Sequence, residues 1–449
     1  MEACPALPGY RRREAYQSPL WRILVDHRDT FLRQYDRRFL ASHGPMPTGT
    51  EDALEKILRC GDPNYELTLF HCPDCKVHVA VPFSCKQRIC PSCCNRRAED
   101  VGHRLLEQLP KVTYRHVVVT FPIKMGLRKR LQQDPRLYRA FARLLHRLFC
   151  RWLPLQVGCH RNRREERERA LPGVIMAVQT FGTGLRQHPH FHCLVSDGVF
   201  FPDGQFWPLG CWNTTDLCEQ VRTSVLQSLV ARQCLSEESA DLMKSWPIER
   251  SGFSVFVGEP LALPEDKPDI ERVLRYILRS ALPLKRLTYV ERTGQVHYQE
   301  PHGPGKSWPH AVDFLADFVQ HIPRARQHQV TYAGYFANAL GNLSPKKAEG
   351  EVAEPKKPTR ATRWAALILR TWAVDPEQCP KCNKPMRRSR ALMDRQELLR
   401  LLHSLGLDQY PKRPHSPAPP ETDGESDIDS HFHDDTNQIP ADWDQWAAA

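Results

Sequence analysis

The chain has 449 residues and a formal net charge of +11, long enough for two or three domains and a sizeable core. No apolar run approaches the ~20 residues that a membrane helix needs, and Met-Glu-Ala-Cys-Pro at the start carries no secretory apolar region, so a membrane or secreted protein is not expected. From Pro411 onward nine acidic residues face only Lys412 and Arg413, which leaves +18 on the part before it. A basic body with an acidic tail predicts a polyanionic partner, nucleic acid above all, with a basic solvated surface as the plain alternative.

In chain order, Ser18-Pro19 reads as the N-cap and first residue of a helix with an apolar stripe of Leu20, Ile23, Leu24, Phe31 and Tyr35. This N-terminal helical segment takes 1–54, and a cysteine-rich module takes 55–100. His116 to Phe121 is predicted to be a strand ending at Pro122, and Asp134-Pro135 to open a helix that buries Leu137, Phe141, Leu144 and Leu148. Arg161 to Arg169 is a charge run. Val174 to Phe181 and His190 to Val195 read as two strands joined by a loop with Gly182 and Gly184, followed by turns at Asp197-Gly198 and Asp203-Gly204. Phe253 to Val257 is a further strand, 269–279 a helix, and Gln329 to Tyr332 a short strand. The alternation predicts an α+β domain over 101–343, a largely antiparallel sheet flanked by helices. Residues 344–362 read as a Lys/Glu/Pro-rich linker, 363–410 as a small helical module with one more CxxC, and 411–449 as a disordered acidic tail.

Sixteen cysteines are many, and several fall in CxxC pairs, which favours zinc over disulfides in the reducing cytoplasm. Cys72-Pro-Asp-Cys75 and Cys90-Pro-Ser-Cys93 are two such units, the spacing of a four-thiolate Zn²⁺ site. Cys60 and Cys85 either complete a second site or exchange with one of these four. Cys379-Pro-Lys-Cys382 is half a site with three outcomes open: no partner, another cysteine, or the N-terminal cluster. Lys86, Arg88, Arg96 and Arg97 give the cluster a basic surface suited to DNA.

His190-Phe-His192 puts two imidazoles on one face of a strand, where they can hold one metal ion. Gln179, on the neighbouring strand, is the expected third ligand through its oxygen. On the 269–279 helix, Ile270, Val273, Leu274, Ile277 and Leu278 form the apolar stripe. Tyr276 falls off it, on a face shared with Arg272, Arg275 and Arg279. Arg272 at i−4 and Arg279 at i+3 both neighbour the tyrosine. A metal-binding His pair and a tyrosine among arginines point to phosphodiester cleavage with a tyrosine nucleophile; an exposed tyrosine on a charged helix is the bland alternative.

These segments resemble a known family. Ser18-Pro-Leu-Trp-Arg-Ile-Leu24, Cys60-Gly-Asp62, Phe83-Ser-Cys-Lys86 with Cys90-Pro-Ser-Cys93, Ala177-Val-Gln-Thr-Phe-Gly182 and His188-Pro-His-Phe-His192 carry the likeness, continued by Asp197-Gly-Val-Phe200, Ser251-Gly-Phe-Ser254, Leu274-Arg-Tyr-Ile-Leu-Arg279, Gln320-His-Ile-Pro323 and Cys379-Pro-Lys-Cys382. In that order and spacing, over most of 15–410, they resemble rolling-circle insertion-sequence transposases of the HUH endonuclease superfamily, the insertion-sequence-ninety-one type. The resemblance implies a divalent ion, Mg²⁺ or Mn²⁺, at His190 and His192, with Zn²⁺ as the alternative there. It also implies attack by Tyr276 on single-stranded DNA, leaving a 5′-phosphotyrosine and a free 3′-hydroxyl. A phenol ionises only near pH ~10, so metal and arginine would be needed to support phenolate character. Some relatives carry two tyrosines four apart on this helix. Arg272 holds the earlier position here, which resembles the single-tyrosine branch, and Ser280-Ala281 replaces the usual Pro-Pro. The competing expectations are a zinc-dependent DNA-binding regulator and a metal nuclease that uses water.

Overall fold

The computed structural model describes residues 18–62, 64–122, 134, 136–158, 170–300, 305–323, 329–339, 377–392 and 394–404. The Arg161–Arg169 charge run, the 344–362 linker and the acidic tail lie outside them.

The chain enters through α1 (Pro19–His43), whose Ser18 hydroxyl accepts from the Trp21 N–H at 3.2 Å, with Pro19 at the first helical position. This cap satisfies one of the amide donors that a helix start leaves over. Helix α2 (Thr50–Leu58) follows, then the hairpin β1 (Leu67–His71) and β2 (His78–Pro82), then α3 (Pro91–Gln108).

The central sheet takes β3 (Thr113–Thr120), β4 (Gly173–Phe181), β5 (Gln187–Ser196), β8 (Ser254–Val257), β9 (Leu261–Ala262) and β13 (Val330–Gly334). Its order is β13-β4-β5-β3-β8, with β9 also pairing β3, and every pairing is antiparallel. Alternation along the strands sorts the two faces. Val117, Val119, Met176, Val178, Phe191, Cys193 and Val195 face helices α4 (Arg136–Gln156) and α5 (Thr214–Ala231) in one core. Tyr114, Ile175, Ala177 and Leu194 face α3 and α7 (Lys267–Ile277) in another. Between α5 and α7 runs α6 (Glu237–Ser245), and the ribbon β6 (Gly198–Phe200) with β7 (Phe206–Pro208) extends the turn after β5. The expected α+β architecture, an antiparallel sheet flanked by helices, is the one observed.

Packing crosses the boundaries read from the sequence. The apolar stripe of the 25-residue α1 needs more cover than the nine residues of α2 supply. It finds it in α8 (Ala311–Val319), whose Phe314, Leu315 and Phe318 join Ile23, Phe31 and Tyr35 in one core. The small sheet of β10 (Leu287–Val290), β11 (Gln295–Tyr298) and β12 (Lys306–Trp308) closes that core. After β13 comes the short helix α9 (Tyr335–Ala339). The C-terminal β14 (Arg387–Leu392) and α10 (Arg395–Ser404) do not stand apart as a module of their own. Strand β14 pairs antiparallel with β1, and Leu398 and Leu402 of α10 are buried with Leu67, Leu69 and Ala80.

Candidate active site and cysteine centres

Among the described residues eight cysteines gather into two clusters, and neither is the foursome expected from spacing. Cys60, Cys85, Cys90 and Cys93 bring their sulfurs within 4.8 Å of one another, and Cys72, Cys75, Cys379 and Cys382 do the same elsewhere. The hairpin explains the correction. Cys72 and Cys75 occupy its turn, whereas Cys85 lies beyond its open end, where the Gly61 N–H donates to the Phe83 carbonyl at 3.0 Å. Five residues of strand separate the two ends, roughly 16 Å of chain at ~3.3 Å each, so Cys72 and Cys75 cannot share an ion with Cys90 and Cys93.

In the first cluster, Cys60 Sγ stands 3.5 Å from Cys93 Sγ and 3.9 Å from Cys90 Sγ, and Cys85 Sγ lies 3.5 Å from Cys93 Sγ. A tetrahedral zinc with bonds of ~2.3 Å holds its sulfurs about 3.8 Å apart, so the set fits that ion. Cys90 caps α3 and Cys93 lies in its first turn. The same helix braces α7: Cys94 Sγ donates to the Leu278 carbonyl at 3.4 Å, and Glu99 pairs with Arg275 at 3.2 Å. A zinc held at the start of α3 would thus steady the helix that carries Tyr276.

The histidines lie on the α7 side of the central sheet. His190 pairs in register with Thr120 on one side and Gln179 on the other; His192 pairs with Val118 and Ala177. The two Nε2 atoms are 2.9 Å apart, and the His190 Nδ1–H donates to the His188 carbonyl at 2.7 Å. Two nitrogens bound ~2.1 Å from one octahedral ion stand about 3 Å apart, so this separation suits a shared ion. His192 Nδ1 meets His116 Nε2 at 3.0 Å. A His192 that ligates through Nε2 carries its proton on Nδ1 and donates it to His116, the kind of support that fixes a ligand's tautomer. Burial holds His190 neutral, down to about 3, helped by the nearby charges of His188 and Arg279. Burial likewise lowers His116 to about 4 and His192 well below its ordinary value. Neutral imidazoles are the form that binds a metal.

Gln179 is buried, as a ligand beside His190 must be. Its Nε2 donates to the Tyr276 and Ile277 carbonyls at 3.1 and 3.2 Å, and its Oε1 is buried with no hydrogen-bond partner. One side chain thus ties the last turn of α7 to the strand facing His190, and holds an unpaired acceptor on the side of the sheet where the imidazoles lie. An orphaned buried oxygen is costly, and a cation would satisfy it.

Tyr276 is half-buried. Its ring meets His192 edge-on, centroids 5.1 Å apart, and His116 at 6.2 Å. The Arg279 guanidinium lies over the Tyr276 ring at 4.1 Å and over Phe181 at 5.5 Å, and its Nε–H is buried with no partner. The tyrosine is off the apolar stripe, as expected, yet it points along the sheet toward the histidines. Arg272 does not join it. An acid at i−3 takes it: Arg272 pairs with Asp269 at 2.9 Å, both side chains more than 40% exposed. Tyr335 stacks on Phe200 at 4.2 Å, a packing role. His116 is the residue that sequence reasoning missed as a site member. A histidine at the head of the apolar run Val117–Val119 was the available signal, but its meeting with His192 depends on register between strands distant in sequence.

A His pair on the central strand of an antiparallel sheet, a tyrosine helix across it and a cysteine centre bracing that helix define a nuclease-like core with a zinc module. Comparison with known proteins agrees. A family model described as "Putative transposase" matches residues 173–343, and one described as "Transposase zinc-binding domain" matches 31–121. The chain is 26% identical over 392 residues to a "Putative transposase y4qJ" of Sinorhizobium fredii, covering 79% of this chain and 92% of the relative. It is 22% identical over 370 residues to a "Transposase for insertion sequence element IS801" of Pseudomonas savastanoi pv. phaseolicola, covering 75% and 82%. No solved structure matches significantly. Both matched segments and both relatives support a transposase of the insertion-sequence-ninety-one type. The zinc-binding match contains Cys60, Cys85, Cys90 and Cys93 entire, and the transposase match contains Gln179, His190, His192, Tyr276 and Arg279.

Proposed function

We propose that this transposase cleaves and rejoins single-stranded DNA at the ends of its element with Tyr276 as the nucleophile. The observation that carries the reading is the packing of the Tyr276 ring between His192 and the Arg279 guanidinium. The Tyr276 oxygen attacks the scissile phosphorus, the P–O bond to the 3′ oxygen breaks, and a 5′-phosphotyrosine and a 3′-hydroxyl result. Attack by a 3′-hydroxyl on the phosphotyrosine reverses the exchange, so the bond energy is conserved and rejoining needs no nucleotide cofactor.

His190 and His192 would hold Mg²⁺ or Mn²⁺, with Gln179 Oε1 as the third protein ligand. When bound, such an ion withdraws charge from a phosphate oxygen. His116 and the His188 carbonyl hold the imidazoles in the ligating tautomers. Arg279 supplies positive charge beside the phenol and a buried N–H donor for the phosphate. Arg272 has no part in this step. The zinc module keeps α3, and through it α7, in place. Single-stranded DNA and target DNA are the partners, so the protein works in the cytoplasm, and phosphate contacts make its binding salt-dependent. No helix among the described residues is long and apolar enough to cross a membrane.

Labelled single-stranded DNA carrying element ends, incubated with Mg²⁺ or Mn²⁺, tests the chemistry. A covalent adduct that survives denaturation supports the tyrosine route. Cleavage with no adduct would instead mean a water nucleophile, and binding without cleavage a regulator.

A further inference from the structure

The second cysteine cluster is built from two copies of one turn. In Cys72-Pro-Asp-Cys75-Lys-Val77, the Cys72 N–H donates to the Val77 carbonyl at 2.8 Å and the Lys76 N–H to the Cys72 carbonyl at 3.0 Å. In Cys379-Pro-Lys-Cys382-Asn-Lys384, the Cys379 N–H donates to the Lys384 carbonyl and the Asn383 N–H to the Cys379 carbonyl, both at 2.8 Å. Each turn closes with a residue in the left-handed region, Lys76 at φ 56° and Asn383 at φ 59°. Each thus aims two sulfurs to one side. The turns face one another: Cys72 Sγ lies 3.6 Å from Cys382 Sγ although 310 residues separate them, and all four sulfurs fall within 4.8 Å.

Three further features hold the turns in place. Strand β14 pairs with β1 from Leu67↔Leu392 to His71↔Arg387, which fixes their registration. Phe70, Val79, Val81 and Met386 bury Cys72 and Cys379 at their base. Lys384 pairs with Asp74 across the gap at 3.3 Å.

We propose that Cys72, Cys75, Cys379 and Cys382 form a second structural zinc centre, distinct from the one at Cys60, Cys85, Cys90 and Cys93. Four thiolates in facing turns suit tetrahedral Zn²⁺ and leave no position open for substrate, so the centre is structural. Half of it lies outside the matched zinc-binding segment of 31–121. The ion staples the C-terminal segment onto the N-terminal hairpin, so the module that begins the chain is completed by residues near its end. This explains why β14 and α10 join the first sheet. The centre is independent of the chemistry at Tyr276, and its test uses no DNA.

The full-length protein, purified with zinc, should contain two zinc ions per chain by elemental analysis. Cys379→Ser/Cys382→Ser should contain one, and Cys382→His, which keeps four ligands, should keep two. In hydrogen exchange, the double serine variant should lose protection in 67–82 and 387–392 while 187–196 stays protected. Cobalt substitution should give a thiolate-to-metal absorption that falls by about half in that variant. One zinc in the wild type, or two in the double serine variant, would overturn the proposal. If the double serine variant fails to fold, the wild-type count and Cys382→His decide alone.

Discussion

Acidification should destabilise this fold through three histidines. His116, His190 and His192 are buried and neutral, with burial lowering His116 to about 4 and His190 to about 3 and pushing His192 well down. In the unfolded chain each takes up a proton near pH ~6.5. Below that pH the unfolded state binds more protons than the folded one, so stability is complete above ~6.5 and is lost as pH falls toward the folded values. At pH ~5 each imidazole that stays neutral in the fold costs about 2 kcal/mol, and three together about 6. That sum is a ceiling, because relaxation of the site around a first proton lessens the penalty for the rest. Urea unfolding in chelator at pH ~7.5 and ~5, a window above most carboxylate titration, reads the loss together with the smaller shares of His27, His146 and His188, which burial also lowers. His116→Asn removes one of the three and should shrink it by about 2 kcal/mol. Equal stability at the two pH values, or the same loss in His116→Asn, would refute the assignment of three neutral buried imidazoles.

The remaining predictions concern the groups around that site. Arg279→Ala should slow cleavage by about 10²-fold, whereas Arg272→Ala, removing an exposed pair, should change it less than ~3-fold; single-turnover rates at saturating DNA separate the two, and equal losses would contradict the geometry. Gln179→Leu should raise the Mn²⁺ concentration needed for half-maximal cleavage about tenfold or more, and an unchanged requirement would remove it from the ligand set. Asp197 accepts from Arg115 at 2.9 Å and from the Trp212 indole at 2.6 Å, so Asp197→Ala takes the counter-charge from a half-buried guanidinium, leaving it the Gly258 and Gly210 carbonyls, and strands a buried indole N–H. It should cost about 3–5 kcal/mol in urea unfolding; a loss under ~1 kcal/mol would mean solvent takes the carboxylate's place. Cys93→Ser should loosen α7 through α3 and lower cleavage together with protection of the 267–277 amides, while DNA cleavage with that helix still protected would deny the brace.

The sequence made the central sheet legible because alternation marks strands buried on both sides. β3, β4 and β5 fall within three residues of their expected ends, and the His pair lies on the expected face. Tyr276 was legible for a related reason: a residue off a strong apolar stripe stands out on a helix. The cysteine grouping was not legible, because coordination depends on distance in space, and the β1–β2 hairpin carries two neighbouring CxxC units to opposite ends. Helical periodicity gives the direction of Arg272, while its neighbour Asp269 decides its partner, which periodicity does not show. His116 was missed since only strand register brings it to His192. The short strands β10 to β12 and β14 gave too little pattern to read.

The most direct test of the account is covalent capture on a denaturing gel. Wild-type protein and Tyr276→Phe are incubated with labelled single-stranded element ends and Mn²⁺, with folding and DNA binding of the variant checked in parallel. A Tyr276 nucleophile predicts a metal-dependent protein–DNA adduct in the wild type and none in the variant, although the variant still binds. An adduct that persists in Tyr276→Phe would place the nucleophile elsewhere and contradict it.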